Sequence, residues 1–285
     1  MNCKKTSRHS PENTQERLIS ALYDHAAGRA VLKVLTAPWV SKTGGAVLST
    51  RASRVFIKPF VRRAGIPMED FLGAPYKSYN DFFCRKIRPE LRPLSMDRNQ
   101  FISPCDSRLT ALPITPEQRF FLKGSTYTLE SLLRDPDLGQ QFAGGWCLIF
   151  RLCVDDYHRY CYVADGEKGE NVVLPGVLHT VNPIACDHYP IYKENAREYS
   201  VLQTEDWGPI LMMEVGALMV GKIVNHHGAA RVLRGQEKGY FQFGGSTVVL
   251  LVGKDRLALD EKIISNSQQG LETRVLYGET IGTKN

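Results

Sequence analysis

The chain has 285 residues, of which 43% are hydrophobic and 23% charged, and its formal net charge is +6. This length and composition fit a soluble or peripheral protein with one large core, or a core and a small helical appendage. No run of about 18 apolar residues predicts a transmembrane helix, and the polar, charged first 16 residues do not have the pattern of a signal peptide.

Residues 1–95 are predicted to form a helical region. A polar tail is expected to end near residue 13, and the apolar residues that follow at helical spacing predict helices near 14–35, 47–64 and 78–86. Pro89 and Pro93 are expected to end the last helix, because proline cannot continue the helical hydrogen-bond ladder.

Basic charge is concentrated in this region. Residues 1–63 contain 12 basic and three acidic residues, so the rest of the chain has a net charge of −3. Apolar residues interleaved with the basic ones predict amphipathic helices with basic faces. Such faces suit an anionic bilayer, to which each basic group contributes on the order of 1 kcal/mol, but they equally suit a solvated surface packed on the rest of the chain. No basic and aromatic platform indicates nucleic acid, so none is expected as a partner.

Residues 96–285 are predicted to be rich in β-strands, which makes the whole chain an α+β protein. A short helix is expected near 126–133, and segments of β-branched and large apolar residues predict strands near 146–154, 172–178, 208–224 and 248–252. The segment 208–224 is too long for a single strand, so Gly216 and Gly221 are expected to bend or divide it.

The cysteines and histidines do not predict a metal site. The seven cysteines form no Cys-x-x-Cys pair and no zinc-like spacing, and Cys147 and Cys153 lie in apolar stretches, which is typical of buried thiols in a reducing compartment. His226 and His227 precede Gly228 and are predicted to form a hairpin tip, since adjacent histidines point in different directions and lack a third ligand nearby.

The most informative feature is the tetrapeptide Gly244-Gly245-Ser246-Thr247, which precedes the apolar strand near 248–252. Two glycines permit positive φ, so the backbone can form a strained bend that places the Ser246 hydroxyl against the carbonyl of Gly245. The pattern therefore suggests a chain that attacks its own backbone.

A serine hydroxyl is a weak nucleophile until a base removes its proton. Asp106 and His158 are the candidates, because each lies at the edge of an apolar run that predicts a strand, where a side chain can point into a cleft. Asp106, His158 and Ser246 could form a relay in which the carboxylate orients the imidazole. Residue types alone do not distinguish this triad from a chance set.

Several ordered motifs resemble the phosphatidylserine decarboxylases. The similarity extends from about Val55 to the segment Gly278-Glu279-Thr280-Ile281-Gly282. One short motif would be weak support, but the order and spacing of several blocks fit this family. The blocks are Tyr79-Asn80-Asp81-Phe82-Phe83-Cys84-Arg85-Lys86 with Pro89, Arg92 and Pro93, Asp156-Tyr157-His158-Arg159, Glu214-Val215-Gly216-Ala217, Phe243-Gly244-Gly245-Ser246-Thr247, and Gly270-Leu271-Glu272-Thr273.

The resemblance implies an enzyme that makes its own pyruvoyl cofactor. Ser246 would attack the carbonyl of Gly245, and the resulting ester would eliminate to dehydroalanine, which hydrolyses to a pyruvoyl group and ammonia. A β chain of residues 1–245 would then separate from an α chain of residues 246–285. The pyruvoyl carbonyl would form a Schiff base with the substrate amine and accept the electron pair left by carbon dioxide, without pyridoxal phosphate.

The implied reaction converts phosphatidylserine to phosphatidylethanolamine and carbon dioxide. The implied partners are the anionic phospholipid substrate, a membrane surface bound peripherally on the reducing, cytoplasmic side, and the two cleaved chains as a heterodimer, alone or within a larger oligomer.

Two departures from the family pattern keep other functions open. The family usually has a second histidine three positions after the first, where this chain has Cys161, and its Asp-Gly is here Asp106-Ser107. An unperturbed thiol titrates near pH ~8.5 and shuttles protons poorly at neutral pH. The alternatives are a pyruvoyl-dependent decarboxylase of a soluble amino acid and an unprocessed relative with a binding role.

Overall fold

A computed structural model describes residues 31, 36–122, 125–180, 191–217, 222–244 and 246–285. The predicted helix near 14–35 lies outside the described residues except for Val31, and Gly245 lies outside them too. The described helices are α1 (Pro38–Leu48), α2 (Ile57–Ala64), α3 (Tyr79–Phe83), α4 (Leu129–Leu133), α5 (Pro136–Gln140), α6 (Ile191–Glu194) and α7 (Glu261–Gln268).

The strands outnumber the helices in the described part of the chain, and every pairing between these strands is antiparallel. The predicted α+β class is confirmed. The strands are β1 (Phe71–Leu72), β2 (Lys86–Ile87), β3 (Gln100–Ile102), β4 (Ser107–Pro113), β5 (Arg119–Leu122), β6 (Ser125–Thr128), β7 (Trp146–Leu152), β8 (Arg159–Cys161), β9 (Gly166–Lys168), β10 (Val172–Leu174), β11 (Arg197–Thr204), β12 (Gly208–Gly216), β13 (Ile223–Asn225), β14 (Ala230–Val232), β15 (Glu237–Phe241), β16 (Ser246–Val252), β17 (Leu257–Leu259), β18 (Thr273–Val275) and β19 (Thr280–Lys284).

The predicted helix near 47–64 is wrong in its bounds. Helix α1 ends at Leu48, a 3₁₀ helix follows over Arg51–Phe56, and α2 then ends before Gly65, whose φ is +64°. The break has a local cause. The hydroxyls of Ser49 and Thr50 donate to backbone carbonyls one turn earlier, and such side-chain bonds compete with continued helix.

The predicted helix near 78–86 is real but shorter. Ser78 caps its start, since its hydroxyl accepts a hydrogen bond from the backbone N–H of Asp81. After α3 the chain becomes extended and forms β2, which pairs with β1. This change from helix to strand places Phe83 and Arg85 at the edge of the β-rich region.

The main sheet has the strand order β14-β9-β11-β12-β16-β7-β4-β18, with β10 also paired to β11. Two three-stranded sheets are formed by β13-β15-β8 and by β17-β19-β3. Strand β16 lies between β12 and β7, and all seven of its residues are buried. A strand buried on both faces is expected to be a continuous apolar run. The residues from Val248 to Val252 form such a run.

Several β-region predictions need correction. The strand near 172–178 ends at Leu174, and the first part of the helix near 126–133 is strand β6, because Thr128 caps a helix that begins only at Leu129. As predicted, 208–224 is not one strand: β12 ends at Gly216 and the next described strand begins at Ile223, while Gly221 lies outside the described residues. The predicted hairpin at His226 is wrong, because β13 and β14 pair with different strands.

The described residues contain two hydrophobic clusters. The larger one fills the β-rich region, and the smaller one consists of Ile66, Tyr76, Tyr79, Phe82 and Phe83. The ring of Phe243 packs on the smaller cluster, with its centroid 5.1 Å from those of Tyr79 and Phe83. The segment that precedes Ser246 is therefore anchored to the helical region. No described helix is both long and apolar enough to cross a membrane.

Candidate active site

Ser246 is the first residue of β16 and is fully buried. It lies opposite Gly216 of β12 and Leu152 of β7, so the sheet fixes it from both sides. The bend before it is visible in Gly244, whose φ of +136° is a conformation that favours glycine. The positive φ predicted from the sequence is thus confirmed at Gly244.

His158 is in contact with this serine. Its Nδ1 lies 3.1 Å from the Ser246 Oγ, and its Nε2 lies 2.8 Å from the carbonyl oxygen of Cys153. A carbonyl oxygen can only accept, so Nε2 must carry the proton, which leaves the Nδ1 lone pair to accept the hydrogen bond of the Ser246 hydroxyl. The imidazole is in the tautomer that a general base for Ser246 requires.

The surroundings of His158 keep it neutral. The residue is 1% exposed, and the Phe83 ring lies against it with centroids 4.1 Å apart. Burial and, after it, the positive charge of Arg85 lower the pKa of His158 to about 3. At neutral pH the ring is therefore unprotonated and free to take a proton.

A tight turn presents the Cys153 carbonyl to His158. The backbone N–H of Cys153 donates to Asp156 Oδ2 at 2.7 Å, and the N–H of Asp156 donates to the Cys153 oxygen at 3.0 Å. Burial raises the pKa of Asp156 to about 6. This closed ring holds the carbonyl in the direction of the imidazole.

The predicted coupling of Asp106 to His158 is wrong. The Asp106 carboxylate accepts from Arg92 Nε at 2.9 Å and Nη2 at 2.5 Å, and from the backbone N–H of Tyr277 at 2.7 Å. The Arg92 guanidinium and the backbone N–H of Tyr277 occupy the Asp106 carboxylate. The Cys153 carbonyl, rather than Asp106, makes the hydrogen bond that orients the His158 imidazole. Asp106 instead links residues on both sides of the predicted cleavage point.

Cys161 lies in β8 and is fully buried. Its thiol is influenced by the nearby hydroxyl of Tyr277, which donates to the carbonyl of Gly235 at 3.0 Å. Burial raises the pKa of the Cys161 thiol to about 12. At the position where the family has its second histidine, this chain therefore has a buried thiol that is uncharged at neutral pH.

An apolar groove begins at Phe243, close to Ser246 and His158. It has a volume of about 740 Å³ and is lined by residues that include Trp39, Val47, Phe60, Tyr79 and Phe243. Since Phe243 also packs on Phe83, a single aromatic cluster connects the groove to His158.

A family model described as phosphatidylserine decarboxylase matches residues 79–283 of the chain. The chain belongs to this family. The match contains Phe83, Arg85, His158 and Ser246, whereas most of the residues that line the groove precede it.

Relatives in the phosphatidylserine decarboxylase family match nearly the whole chain. Phosphatidylserine decarboxylase proenzyme 2 of Clostridium acetobutylicum is 43% identical over 266 residues, which cover 93% of this chain and 91% of the relative. The phosphatidylserine decarboxylase proenzyme of Clostridium botulinum is 37% identical over 286 residues, which cover 98% of this chain and 97% of the relative. Both names describe a precursor.

Sequence reasoning missed several members of the site. Phe83, Arg85 and Arg92 lie in blocks that carried the family resemblance, so their residue types were visible but their roles were not. The Cys153 carbonyl had no sequence signal, because every residue has a carbonyl and only the fold selects one.

Proposed function

We propose that this chain cleaves itself between Gly245 and Ser246 and then decarboxylates phosphatidylserine to phosphatidylethanolamine. The observation that carries the proposal is the 3.1 Å contact between His158 Nδ1 and the Ser246 Oγ, with Nε2 held by the Cys153 carbonyl. This arrangement gives a buried serine a neutral base in the correct tautomer.

Cleavage begins when His158 Nδ1 accepts the hydroxyl proton of Ser246. The alkoxide oxygen attacks the carbonyl carbon of Gly245, the C–N bond breaks, and the released amine takes up a proton, so an ester replaces the amide. Loss of the Ser246 Cα proton then expels the Gly245 carboxylate and leaves dehydroalanine. Water converts this group to pyruvoyl and releases ammonia.

The residues around position 246 fit a pyruvoyl group. The position is buried at the end of a central strand, next to a neutral imidazole and an aromatic ring. When formed, the group would supply a carbonyl that binds the substrate amine and takes up the electron pair released with carbon dioxide. His158 would remain beside the reacting atoms, positioned to hold or move a proton.

The sheet pairing supports continued association of the two chains after cleavage. The segment from 246 to 285 contributes β16 between β12 and β7, β18 beside β4, and β19 beside β3. Each of these three strands pairs with at least one strand from the longer segment. A heterodimer of the two chains would therefore keep the hydrogen bonds of the uncut sheet.

The helical region supports a lipid substrate. Trp39 is 62%, Val55 69% and Phe56 55% exposed, and basic residues lie in the same segment: Arg51, Arg54, Lys58, Arg62 and Arg63. A surface with apolar side chains and basic charge binds an anionic bilayer peripherally. The groove from Trp39 to Phe243 would accept an acyl chain, which a soluble amino acid lacks.

The unprocessed alternative rested on Cys161. The catalytic contacts of Ser246 and His158 do not include this thiol, so its presence gives no reason to expect an uncut protein.

Intact mass spectrometry and carbon dioxide release test the proposal. The wild-type protein should yield a 40-residue chain with a blocked N-terminus and should release carbon dioxide from phosphatidylserine vesicles. Ser246→Ala should remain uncut and inactive. Thr247→Ala is the matched control, because the Thr247 hydroxyl is buried and has no hydrogen-bond partner among the described residues. A wild-type protein that stays uncut, or carbon dioxide release by Ser246→Ala, would contradict the proposal.

A further inference from the structure

Arg85 is a buried cation with incomplete hydrogen bonding. The residue is 2% exposed, and its Nε and Nη1 have no hydrogen-bond partner among the described residues. The guanidinium carbon lies 4.5 Å from the ring centroid of Phe71 and 5.0 Å from that of Phe82. A buried donor without a partner is destabilising, and the aromatic faces offset only part of this cost. Such a cost suggests a role other than stability.

The remaining nitrogen of Arg85 reaches the turn that orients His158. Nη2 donates to the carbonyls of Asp155 at 3.0 Å and Asp156 at 3.3 Å. The link is reciprocal, because Arg159 donates back to the carbonyl of Cys84 at 2.7 Å. Two arginines thus join the end of the helical region to the chain on both sides of His158.

The groups that contact the imidazole are the Ser246 hydroxyl, the Cys153 carbonyl and the Phe83 ring. Arg85 therefore acts on His158 through the turn. The titratable groups that face Arg85 itself are Tyr76, Tyr79, Asp106 and Asp155.

We propose that Arg85 is a positioning residue for self-cleavage, which fixes the turn that orients His158. The inference rests on the proposed function, in which His158 takes the proton of Ser246. Arg85 holds the carbonyls of Asp155 and Asp156, and with them the turn whose Cys153 carbonyl orients the imidazole.

The test measures the rate at which freshly translated precursor is cleaved at pH 7. Arg85→Met should be about 10²-fold slower than wild type, because a displaced base loses its alignment. Arg85→Lys keeps a donor for the carbonyls of Asp155 and Asp156, so it should cleave faster than Arg85→Met.

Lys86→Met is the matched control, since it removes an exposed positive charge one residue away, and it should cleave like wild type. A wild-type cleavage rate in Arg85→Met, or an Arg85→Lys variant no faster than Arg85→Met, would overturn the inference.

Uncut precursors separate this inference from the proposed function. In a Ser246→Ala background, the ring ¹⁵N shifts of His158 report its tautomer and its hydrogen bond to the Cys153 carbonyl. Adding Arg85→Met should change these shifts, and thermal unfolding should show that both proteins are folded. Unchanged ring shifts would overturn the inference even if wild type cleaves. If wild type stays uncut, the proposed function fails and the inference with it.

Discussion

Strand β16 and the segment Pro38–Phe56 differ in the exposure of their apolar side chains. Every side chain of β16 is buried between neighbouring strands, whereas Trp39, Val47 and Phe56 are more than half exposed. Burial in the sheet fixes Ser246, the residue at which we propose cleavage. Exposed apolar side chains next to basic ones suit a lipid surface. We therefore propose that the region around β16 carries out the reaction (the catalytic region) and that Pro38–Phe56 gives the lipid access to it (the access region).

The catalytic region depends most strongly on His158. His158→Ala should slow self-cleavage by about 10²–10⁴-fold, which is the usual contribution of a general base. Gel electrophoresis of precursor over time would measure this rate. Rapid maturation of the variant would transfer the role of base to another group.

Asp106 distinguishes a relay from a structural link. Asp106→Ala leaves Arg92 without its carboxylate, and loss of one partner from a buried ion pair costs about 3 kcal/mol or more of unfolding free energy. Because Asp106 does not contact His158, the fold-changes in cleavage rate caused by Asp106→Ala and His158→Ala should multiply in the double variant. A double variant no slower than the more severe single variant would restore the relay.

Cys161→His tests the departure from the family pattern. The thiol is fully buried, so a larger imidazole should overpack the site and cost about 1–3 kcal/mol of stability. Urea denaturation of the uncut Ser246→Ala precursor measures this cost. Faster cleavage or carbon dioxide release by Cys161→His, in the otherwise wild-type chain, would instead show that a catalytic histidine had been lost.

The neutral state of His158 predicts a pH dependence of stability. The folded pKa is about 3 and the unfolded value is 6.5, so the unfolded state binds the proton more tightly and stability falls as the pH decreases below 6.5. Lowering the pH from 7 to 5 should therefore reduce the free energy of unfolding by about 2 kcal/mol through His158. Urea unfolding of Ser246→Ala should show this loss, and adding His158→Gln should reduce it. Equal pH slopes would contradict the assigned burial effect.

The access region should respond to charge on its exposed face. Val47→Asp should weaken binding to phosphatidylserine vesicles about tenfold, since burial of a valine side chain is worth about 1.5–3 kcal/mol. Leu233→Asp is the matched control, because Leu233 is 61% and Val47 56% exposed, but Leu233 belongs to the β-rich region. Vesicle sedimentation measures both. Equal losses would remove the distinction between the two regions.

Local sequence accounted for much of the fold. The β-branched run after Ser246 predicted a buried strand, and the glycines before it predicted the positive φ that Gly244 has. The bounds of helices failed where side chains decided them, as at Ser49 and Thr50, because periodicity does not report which hydroxyl bonds to which carbonyl.

By itself the sequence determined the family, the α+β class and the pair of His158 and Ser246. Only the tertiary structure decided that the Cys153 carbonyl orients His158 and that Asp106 binds Arg92 and Tyr277. The physical reason is that residue types reveal which groups can donate or accept protons, whereas the fold chooses the partners. The turn at Cys153 selects a carbonyl five positions from His158, and sheet register and packing bring Asp106 to partners 14 and 171 positions away.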